Sequence, residues 1–344
     1  MTSHAVGVDV GGTKIAAALV SDAGEVGPIV TVRTPASSGP AAVLDAIADA
    51  VRQVADGRPI VGVGVGTAGA VNASTGTIVS STDTFTDWVG TEVAARLRER
   101  LGVVLVEVRN DVDAHAVGEA WLGSGSGVGS LMMVAVGTGV GGALVLDGRL
   151  RTGAHHLAGE IAHVPAVGAE GLRCTCGRLG HLEALASGPG LARHYVALSQ
   201  RGSTTHGPQR DVAAPATGPG APETPRGVLD VGEAVDAREV ARRASVGDEL
   251  ARQAIADAAS CLGRVVAGLV TVIDPDLVVI GGGVVGIGPA WWKPFETSCR
   301  SELVDALAGV RLRPAALGAE AALIGAAKSV LDVALHPRPR APGT

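Results

Sequence analysis

The feature that most constrains the fold of this chain is a strand, a glycine turn and a returning strand, which occur in that order twice. The apolar run His4–Val10 leads into Gly11–Lys14 and continues as a second apolar run over Ile15–Val20. The same order recurs over Leu131–Leu146, with a Gly/Thr turn in its middle. Because the two copies are about one domain length apart, they predict two related α/β halves that face a cleft.

The remaining periodicity predicts alternating helices and strands around these two units. Helical spacing covers 41–55, 92–101, 112–122, 237–245, 249–273 and 319–331, and short apolar strands cover 60–66, 103–108 and 277–280. We expect an N-terminal α/β domain over 1–110, completed by a C-terminal helix at about 319–333, and a larger α/β domain over 111–318. Residues 200–226 are rich in Pro, Gly, Thr and Ala and are expected to form a flexible insertion, and the Pro-rich tail from His336 is expected to fray.

Charge and hydropathy exclude several classes of function. The net charge is −6 and no long Lys/Arg run is present, which argues against a nucleic-acid partner. No uninterrupted apolar stretch is long enough to span a bilayer, and residues 1–4 do not begin a signal peptide. Cys174 and Cys176 are too close for an ordinary disulfide and suit a metal, so the simplest expectation is a reducing cytoplasm and no membrane association.

The first glycine turn has the composition of a phosphate-binding turn. Gly11 and Gly12 allow backbone N–H groups to approach an anion, Thr13 and Lys14 add a hydroxyl and a positive charge, and Asp9 could hold Mg²⁺. The alternative is a plain hairpin in which Gly-Gly supplies positive φ. An acidic residue at the end of a fully apolar strand is harder to explain by that alternative.

The second half carries two further glycine turns, at Gly137, Thr138, Gly139 and at Gly281, Gly282, Gly283. The first resembles a second phosphate loop but could equally be a plain glycine-rich hairpin, and the second could admit an adenine ring or ribose beside bare backbone. A P-loop is rejected because the first turn reads Thr-Lys and is followed by a strand. Dinucleotide-binding patterns at 64–69 and 137–142 are rejected because neither opens a helix.

Asn110 and Asp111 stand where a strand ends and a helix begins. Both residues favour a helix N-cap, which is one interpretation. In the other, Asp111 lies at the cleft as a general base and accepts the proton of an attacking hydroxyl. The sequence alone leaves both interpretations open.

The most specific segment is a Cys/His cluster formed by His163, Cys174, Cys176 and His181. Two thiols and two imidazoles match a tetrahedral zinc site with no open position, and hence a structural one. Glu160 and Glu183 bracket the cluster. A zinc-pinned loop would hold both carboxylates rigidly, ready to accept hydrogen bonds from sugar hydroxyls, although each could instead be a solvated surface residue.

Taken together, these motifs resemble the ROK family (repressors, open reading frames, kinases) from Val6 to about Leu331. The segments at 9–14, 110–123, 134–145, 159–163, 174–183 and 274–283 follow the order typical of the family. The resemblance implies an actin-like, ribonuclease H-like fold with two domains that close on ATP and a sugar. It also implies Asp111 as the base, Asn110, Glu160, His163 and Glu183 as sugar contacts, and a histidine, His163, that binds both zinc and sugar.

The chain departs from the family pattern at several positions. His181 replaces the last cysteine of the zinc motif, and since imidazole can also bind zinc we expect the metal to be retained. Ala162 replaces a glycine before the histidine. Asp83-Thr84 replaces a Pro-Asn pair that contacts the sugar, and residues 155–158 are more polar than usual.

Within the family, several functions compete. The expected activity is ATP-dependent conversion of glucose to glucose 6-phosphate, with N-acetylmannosamine, fructose, allose or another hexose or N-acetylhexosamine as alternative substrates and polyphosphate as an alternative donor. A ROK repressor would carry a helix-turn-helix ahead of Asp9, for which the chain has no room. A non-catalytic sugar-binding protein should lack Asp111 or the phosphate glycines. The resemblance also implies a homodimer, with a tetramer as the other option.

Overall fold

A computed structural model gives the structure of residues 2–81, 84–204 and 235–336. Most of the insertion predicted over 200–226 lies outside these residues, as do Asp83 and the tail beyond His336. The start of that insertion was predicted too early, because helix α5 (Gly188–Thr204) continues through the first residues assigned to it.

The described strands form two five-stranded sheets and one two-stranded sheet. The first large sheet has the order β3-β2-β1-β4-β7 and the second has the order β10-β9-β8-β11-β12. The strands are β1 (His4–Val10), β2 (Lys14–Ser21), β3 (Val30–Arg33), β4 (Val63–Thr67), β5 (Ala70–Asn72), β6 (Thr77–Ser80), β7 (Val106–Asn110), β8 (Leu131–Val136), β9 (Val140–Leu146), β10 (Arg149–Arg151), β11 (Leu277–Gly281) and β12 (Arg311–Pro314).

The two large sheets share one topology. In each, the first strand pairs antiparallel with the second and the second with the third, while two later strands add in parallel on the other side. The predicted repeat of strand, turn and strand is therefore confirmed. Each copy of the repeat begins one of two sheets that have the same topology.

Helices cover the sheets and connect them. They are α1 (Pro40–Ala55), α2 (Val93–Leu101), α3 (Asp111–Leu122), α4 (Glu183–Ala186), α5 (Gly188–Thr204), α6 (Ala237–Ser245), α7 (Glu249–Ile273), α8 (Pro289–Glu302) and α9 (Ala321–Leu335). α9 returns to the first sheet, where Ala327, Val330 and Leu331 share a buried cluster with Ala5 and Val20.

Glycines allow α9 to cross α3 and the first sheet at very short range. A Cβ at Gly325 would lie 1.7 Å from the Ala114 carbonyl oxygen, and one at Gly118 would lie 2.2 Å from the Ala321 carbonyl oxygen. At the sheet, a Cβ at Gly64 would lie 1.8 Å from the Ala326 carbonyl oxygen. Because only glycine fits these contacts, the crossing of α3 and α9 is specified by sequence.

The second sheet is covered by a larger helical layer built on α7 and α8. Cys261, Leu262 and Val266 of α7 belong to the same buried cluster as Trp291 and Phe295 of α8. Among the described helices, α7 alone is long and apolar enough to cross a membrane by length and composition, and 56% of its most apolar window is buried in the protein. Packing in the core accounts for its apolar composition.

All nine elements predicted from periodicity are confirmed, with boundaries that shift by a few residues. Three of the shifts concern strands: β4 and β7 begin three residues later than predicted, and β11 ends one residue later. The sequence did not predict the short edge strands β3, β10 and β12, the β5–β6 hairpin, or helices α4, α5 and α8. The domain boundaries near residues 110 and 318 stay predictions.

Candidate active site

The carboxyl ends of three parallel strands bring the first group of candidate residues together. In the register of the first sheet, Asp9 lies beside Gly66, and Thr67 lies beside Asn110. Asp9, at the end of β1, and Asp111, directly after β7, therefore share one edge of the sheet. This is the position at which ligands bind in open α/β sheets.

The first glycine turn is a hairpin, but its glycines are not there to supply positive φ. Neither Gly11 nor Gly12 is among the positive-φ residues. The Gly11 N–H donates to the Lys14 carbonyl at 3.0 Å, and a Cβ at Gly12 would lie 2.8 Å from Thr84 Cγ2. Thr13 and Lys14 are exposed. The glycines thus keep the turn open and its backbone approachable, which suits an anion.

The sequence left two interpretations of Asn110 and Asp111 open, a helix N-cap and a general base, and hydrogen bonds show which residue caps α3. Asn110 is the N-cap of α3, since its Oδ1 accepts from the N–H groups of Val112 at 2.8 Å and Asp113 at 3.3 Å. Its Nδ2 donates to the Gly69 carbonyl at 3.1 Å. Asp111 is the first helical residue, and one of its oxygens accepts from Val112 N–H at 3.0 Å. Capping is done by Asn110, so it does not account for Asp111.

The carboxylates at this edge perturb one another. Burial, followed by the charge of Asp111, raises the pKa of Asp9 to about 6 against the opposing effect of Lys14. Burial also raises the pKa of Asp111. The pKa of Glu160 is raised by burial and by the charges of Asp111 and Glu183, against the opposing charge of His163. Burial thus disfavours the ionised form of each of these three carboxyl groups, and the charge of Asp111 adds to the effect at Asp9 and Glu160. Such a cluster favours binding of a cation or retention of a proton.

Asp113 belongs to the same group, although no motif in the sequence marks it. Burial raises its pKa to about 7, Arg109 opposes the rise, and Glu160 and Asp111 add to it. The available signal was its position in the first turn of a helix whose cap had already been identified. That signal is weak, because helix starts commonly carry acidic residues.

The four proposed zinc ligands come together as a cluster. One ligand atom from each of His163, Cys174, Cys176 and His181 lies within 4.8 Å of every other. His163 Nδ1 is 3.6 Å from Cys174 Sγ, and His181 Nδ1 is 3.2 Å from Cys176 Sγ. Zinc bonds of about 2.3 Å to sulfur and about 2.0 Å to nitrogen place tetrahedral ligands at such separations, so the donor set fits zinc.

Glu183 lies between the Cys/His cluster and the second glycine turn. It is buried, its Oε1 accepts from the Thr175 hydroxyl, and its Oε2 accepts from Val140 N–H at 3.1 Å. A Cβ at Gly139 would lie 2.8 Å from Glu183 Oε2. In this structure, Glu183 thus joins the loop after η1 (Ile161–His163) to the start of β9, and both of its oxygens have protein partners.

Glu160 immediately precedes that short 3-10 helix and is half-buried. The turn at Gly159 packs directly on β9, where a Cβ at Gly159 would lie 2.5 Å from the Gly142 carbonyl oxygen. Glu160 and His163 are consequently fixed relative to the second sheet.

The glycine turns of the second sheet border one open cavity of about 980 Å³. Gly137 and Thr138 line one side, and Gly283 and Val284 line another. Gly282 has φ +96°, and a Cβ there would lie 2.3 Å from the Val136 carbonyl oxygen, so this turn must be glycine. Gly139, Gly281 and Gly282 are not lining residues, but Gly282 packs directly on Val136, the residue before the second glycine turn.

The cavity also has lining residues that the sequence analysis missed, chiefly on α5 and at the start of α6. They include Gly188, Arg193, Asp236 and Arg238. Gly188 N–H donates to the Gly137 carbonyl at 2.8 Å, which attaches α5 to the second glycine turn. No local motif marked these residues, because they converge only when α5 and α6 pack beside β8.

The two edges meet at the start of α3. A Cβ at Gly141 in β9 would lie 2.6 Å from Val112 Cγ2, one residue after Asp111. The carboxylates of the first sheet and the glycine turns of the second therefore lie on either side of the same helix terminus. This arrangement can hold an anion on one side, a hydroxyl substrate on the other and a base between them.

Comparisons with known proteins agree with this arrangement. The model of the family described as ROK matches residues 5–333. A glucokinase from Streptomyces coelicolor is 33% identical over 97% of this chain and 98% of that protein. Among solved structures, a ROK hexokinase from Thermus thermophilus has a TM-score of 0.77 at 32% identity, covering 95% of this chain and 97% of that one.

A ROK glucokinase from Streptomyces griseus, solved with glucose and AMPPNP, has a TM-score of 0.74 at 29% identity and covers 95% of this chain and 99% of that one. The expected actin-like fold is confirmed by these structural neighbours, together with the two matching sheets described above.

Proposed function

Because the chain belongs to the ROK family, we propose that it is an ATP-dependent sugar kinase that converts glucose to glucose 6-phosphate, with Asp111 as the general base. The observation that carries the proposal is the placement of Asp111 at the start of α3, between the carboxylate edge of one sheet and the glycine turns of the other. The glucokinase relative and the glucokinase solved with glucose and AMPPNP support the substrate pair.

The reaction transfers the γ-phosphoryl group of ATP to a hydroxyl group of the sugar. The sugar hydroxyl oxygen attacks the γ-phosphorus of ATP, its proton passes to an Asp111 carboxylate oxygen, and ADP leaves. A base placed in this way contributes about 10²–10⁴-fold to the rate. Positioning and charge neutralisation supply most of the remaining acceleration in phosphoryl transfer.

Mg²⁺ fits the carboxylate edge. Burial, followed by the charge of Asp111, disfavours a negative charge on Asp9, as the raised Asp9 pKa shows, and a divalent cation would relieve that cost. Asp9 would hold the ion, directly or through water. When bound, Mg²⁺ would neutralise charge on the transferring phosphate.

Zinc fits the Cys/His cluster. His163, Cys174, Cys176 and His181 would fill all four positions of a tetrahedral site, which makes the metal structural. Its contribution would be to fix the loop that carries Glu160 and His163.

Each substrate would contact residues from both edges. For ATP, Gly11, Gly12, Thr13 and Lys14 would contact phosphates from the first sheet, Gly137, Thr138 and Gly139 from the second, and Gly281, Gly282 and Gly283 would flank the nucleoside. Asn110, Glu160, His163 and Glu183 are the proposed sugar contacts. Because Asn110 and Glu183 already have protein partners, we expect Glu160 and His163 to contribute most of the direct recognition.

A coupled ADP-release assay with Mg-ATP tests the proposal. The panel comprises glucose, N-acetylmannosamine, N-acetylglucosamine, mannose, fructose and allose, each assayed with the wild-type protein and with Asp111→Asn. We expect turnover of glucose that falls by about 10²–10⁴-fold in the variant. Asp22→Asn, which changes an exposed carboxylate in the turn after β2, is the matched control and should retain full activity.

Other outcomes would redirect the proposal. Turnover restricted to N-acetylmannosamine would retain the kinase and change the sugar, while activity with polyphosphate alone would change the donor. No turnover of any sugar by folded, zinc-replete protein would overturn the kinase proposal. The homodimer and the cytoplasmic location remain predictions, which light scattering and cell fractionation would test.

A further inference from the structure

One face of α3 carries three ionisable residues at intervals of four, namely Asp111, His115 and Glu119. Residues four apart lie above one another on a helix, so these side chains form a single row along its length. Asp111 heads the row at the proposed active site. Glu119 ends it, one turn before the last residue of the helix.

Glu119 is the most deeply buried charged residue in the described part of the chain, with an exposed fraction of 0%. Its carboxylate accepts from three backbone N–H groups: Ser124 at 2.8 Å, Ala316 at 2.9 Å and Leu317 at 2.8 Å. A buried charge is costly unless hydrogen bonds compensate it, and here backbone donors on two separate segments do so.

The segments that Glu119 joins are the connections between the two large sheets. Ser124 follows α3 on the way to β8, and Ala316 and Leu317 lie between β12 of the second sheet and α9, which packs on the first. Glu119 therefore ties α3 to the returning crossover. The glycine at position 123 leaves room for the Glu119 carboxylate, because a Cβ at Gly123 would lie 2.1 Å from Glu119 Oε2.

His115, the middle residue of the row, lies beside the end of β11. Its Cε1 would lie 3.5 Å from a Cβ at Gly281, at the start of the third glycine turn. Its Nε2 is 3.9 Å from Glu119 Oε1, too far for a hydrogen bond. α3 is thus fixed by Glu119 at one end and contacts the Gly281 turn at its middle.

We propose that Glu119 is a positioning residue for Asp111. Through its hydrogen bonds to the crossover between the sheets, Glu119 sets the rotation of α3 about its axis and its position along that axis. These two quantities determine where the Asp111 carboxylate lies in the cleft. The proposal rests on the kinase function proposed above. It differs from a purely stabilising role in that its effect on turnover passes through Asp111.

The main variant is Glu119→Gln, which preserves size but places an NH₂ group where a backbone N–H now donates. We expect kcat to fall by about tenfold or more while the KM values for glucose and ATP change by less than about threefold, as for loss of an interaction that serves the transition state. Glu302→Gln, the same change on an exposed part of α8, should leave all three parameters unchanged.

A second variant guards against a simple failure to fold. Gly123→Ala retains the Glu119 side chain but crowds its carboxylate, and the φ of −101° at Gly123 lies outside the left-handed region. We expect the same pattern, a lower kcat with nearly constant KM values. A kcat within twofold of wild type in folded Glu119→Gln and Gly123→Ala would overturn the proposal.

A double-mutant cycle separates positioning from stability. In the Asp111→Asn background, Glu119→Gln should lower kcat by less than about twofold, because residues that act through one another are not additive. An undiminished effect in that background would overturn the proposal.

Hydrogen exchange gives an answer that does not depend on turnover. We expect Glu119→Gln to raise amide exchange at Val112–Ala116 as well as at Ser124, Ala316 and Leu317. An increase confined to the latter three would overturn the proposal. If wild-type protein turned over no sugar, the kinase function would fail on its own, and the exchange pattern would still decide whether Glu119 positions the start of α3.

Discussion

The two large sheets have the same strand order and strand directions, yet their carboxyl edges carry opposite chemistry. The edge of β1, β4 and β7 ends in Asp9 and Asn110-Asp111, with Asp113 and Glu160 close enough for the charge of Asp111 to add to the rise that burial causes in their pKa values. The edge of β8 and β11 ends in the turns 137–139 and 281–283, which contain six residues, five of them glycine and none acidic.

This difference teaches how one topology can serve two tasks. The first edge concentrates negative charge, which suits a base and a cation, and that cation would offset the repulsion between the carboxylates and the phosphates of a nucleotide. The second edge offers backbone, a hydroxyl and a cavity of about 980 Å³, where a nucleotide meets no carboxylate from the glycine turns. The fold supplies two equivalent places, and the residues at the strand ends decide their use.

Of the substitutions that test this comparison, Asp9→Asn should lower activity most, because it removes the proposed Mg²⁺ ligand from the charged edge. We expect kcat to fall by about 10²–10³-fold, since charge neutralisation by a metal is worth several kcal/mol in the transition state. Steady-state kinetics over a Mg²⁺ titration would measure it, with Asp22→Asn as the surface control. An unchanged Mg²⁺ dependence would mean that Asp9 does not hold the ion.

Cys174→Ser tests whether the Cys/His cluster braces the loop between the two edges. Loss of one of four ligands should abolish stoichiometric zinc and lower the free energy of unfolding by about 3 kcal/mol or more. Metal analysis and thermal denaturation would measure both effects. His181→Cys should retain zinc, and Cys261→Ser, which removes a buried thiol outside the cluster, should retain it too. Full zinc content in Cys174→Ser would refute the assigned ligand set.

Much of the fold could be predicted because its signals are local and repeated. The apolar runs around Gly11 and Gly137 encode equivalent hairpins, and long helices such as α7 show their period over many turns. Edge strands β3, β10 and β12 were missed because three or four residues carry almost no periodicity. α8 was missed because Pro294 and neighbouring tryptophans interrupt its pattern.

The candidate site could be predicted where the residue types and spacing of a local motif indicate its chemistry. It could not be predicted where the fold brings together residues that are distant in sequence. The four proposed zinc ligands could be named from their residue types and spacing, and they do come together. The role of Glu119 could not be predicted, because its partners Ala316 and Leu317 lie almost two hundred residues away in sequence. For the Gly11-Gly12 turn, the sequence left a positive-φ hairpin possible, and only the backbone angles excluded it.

Gly282→Ala tests whether the second edge depends on bare backbone. Its φ of +96° and the Val136 carbonyl, 2.3 Å from the added Cβ, both oppose a side chain. We expect the KM for ATP to rise by about tenfold, with a smaller change in the KM for glucose. Gly148→Ala is matched, with φ +68° but nothing within 4 Å of its Cβ. It should cost only about 1 kcal/mol of stability and leave both KM values unchanged. Equal effects of the two substitutions would assign the whole change to backbone strain.

Asp113→Asn should have the smallest effect, and it tests the charge of the first edge through pH. In the folded protein the Asp113 pKa is raised to about 7 from an ordinary value near 3.8, so folding disfavours the ionised form. The free energy of unfolding of the wild-type protein therefore falls as pH rises from about 4 to 7.

Asparagine removes that penalty, so the variant should be more stable than wild type by about 1–2 kcal/mol at pH 8, after allowance for partial solvent exposure, and equal to it near pH 4. Urea denaturation across this range would measure the difference. Asp49→Asn, on the exposed face of α1, should give curves parallel to wild type. If Asp113→Asn also gave parallel curves, Asp113 would be an ordinary solvated carboxylate, and the concentration of charge at the first edge would be limited to Asp9, Asp111 and Glu160.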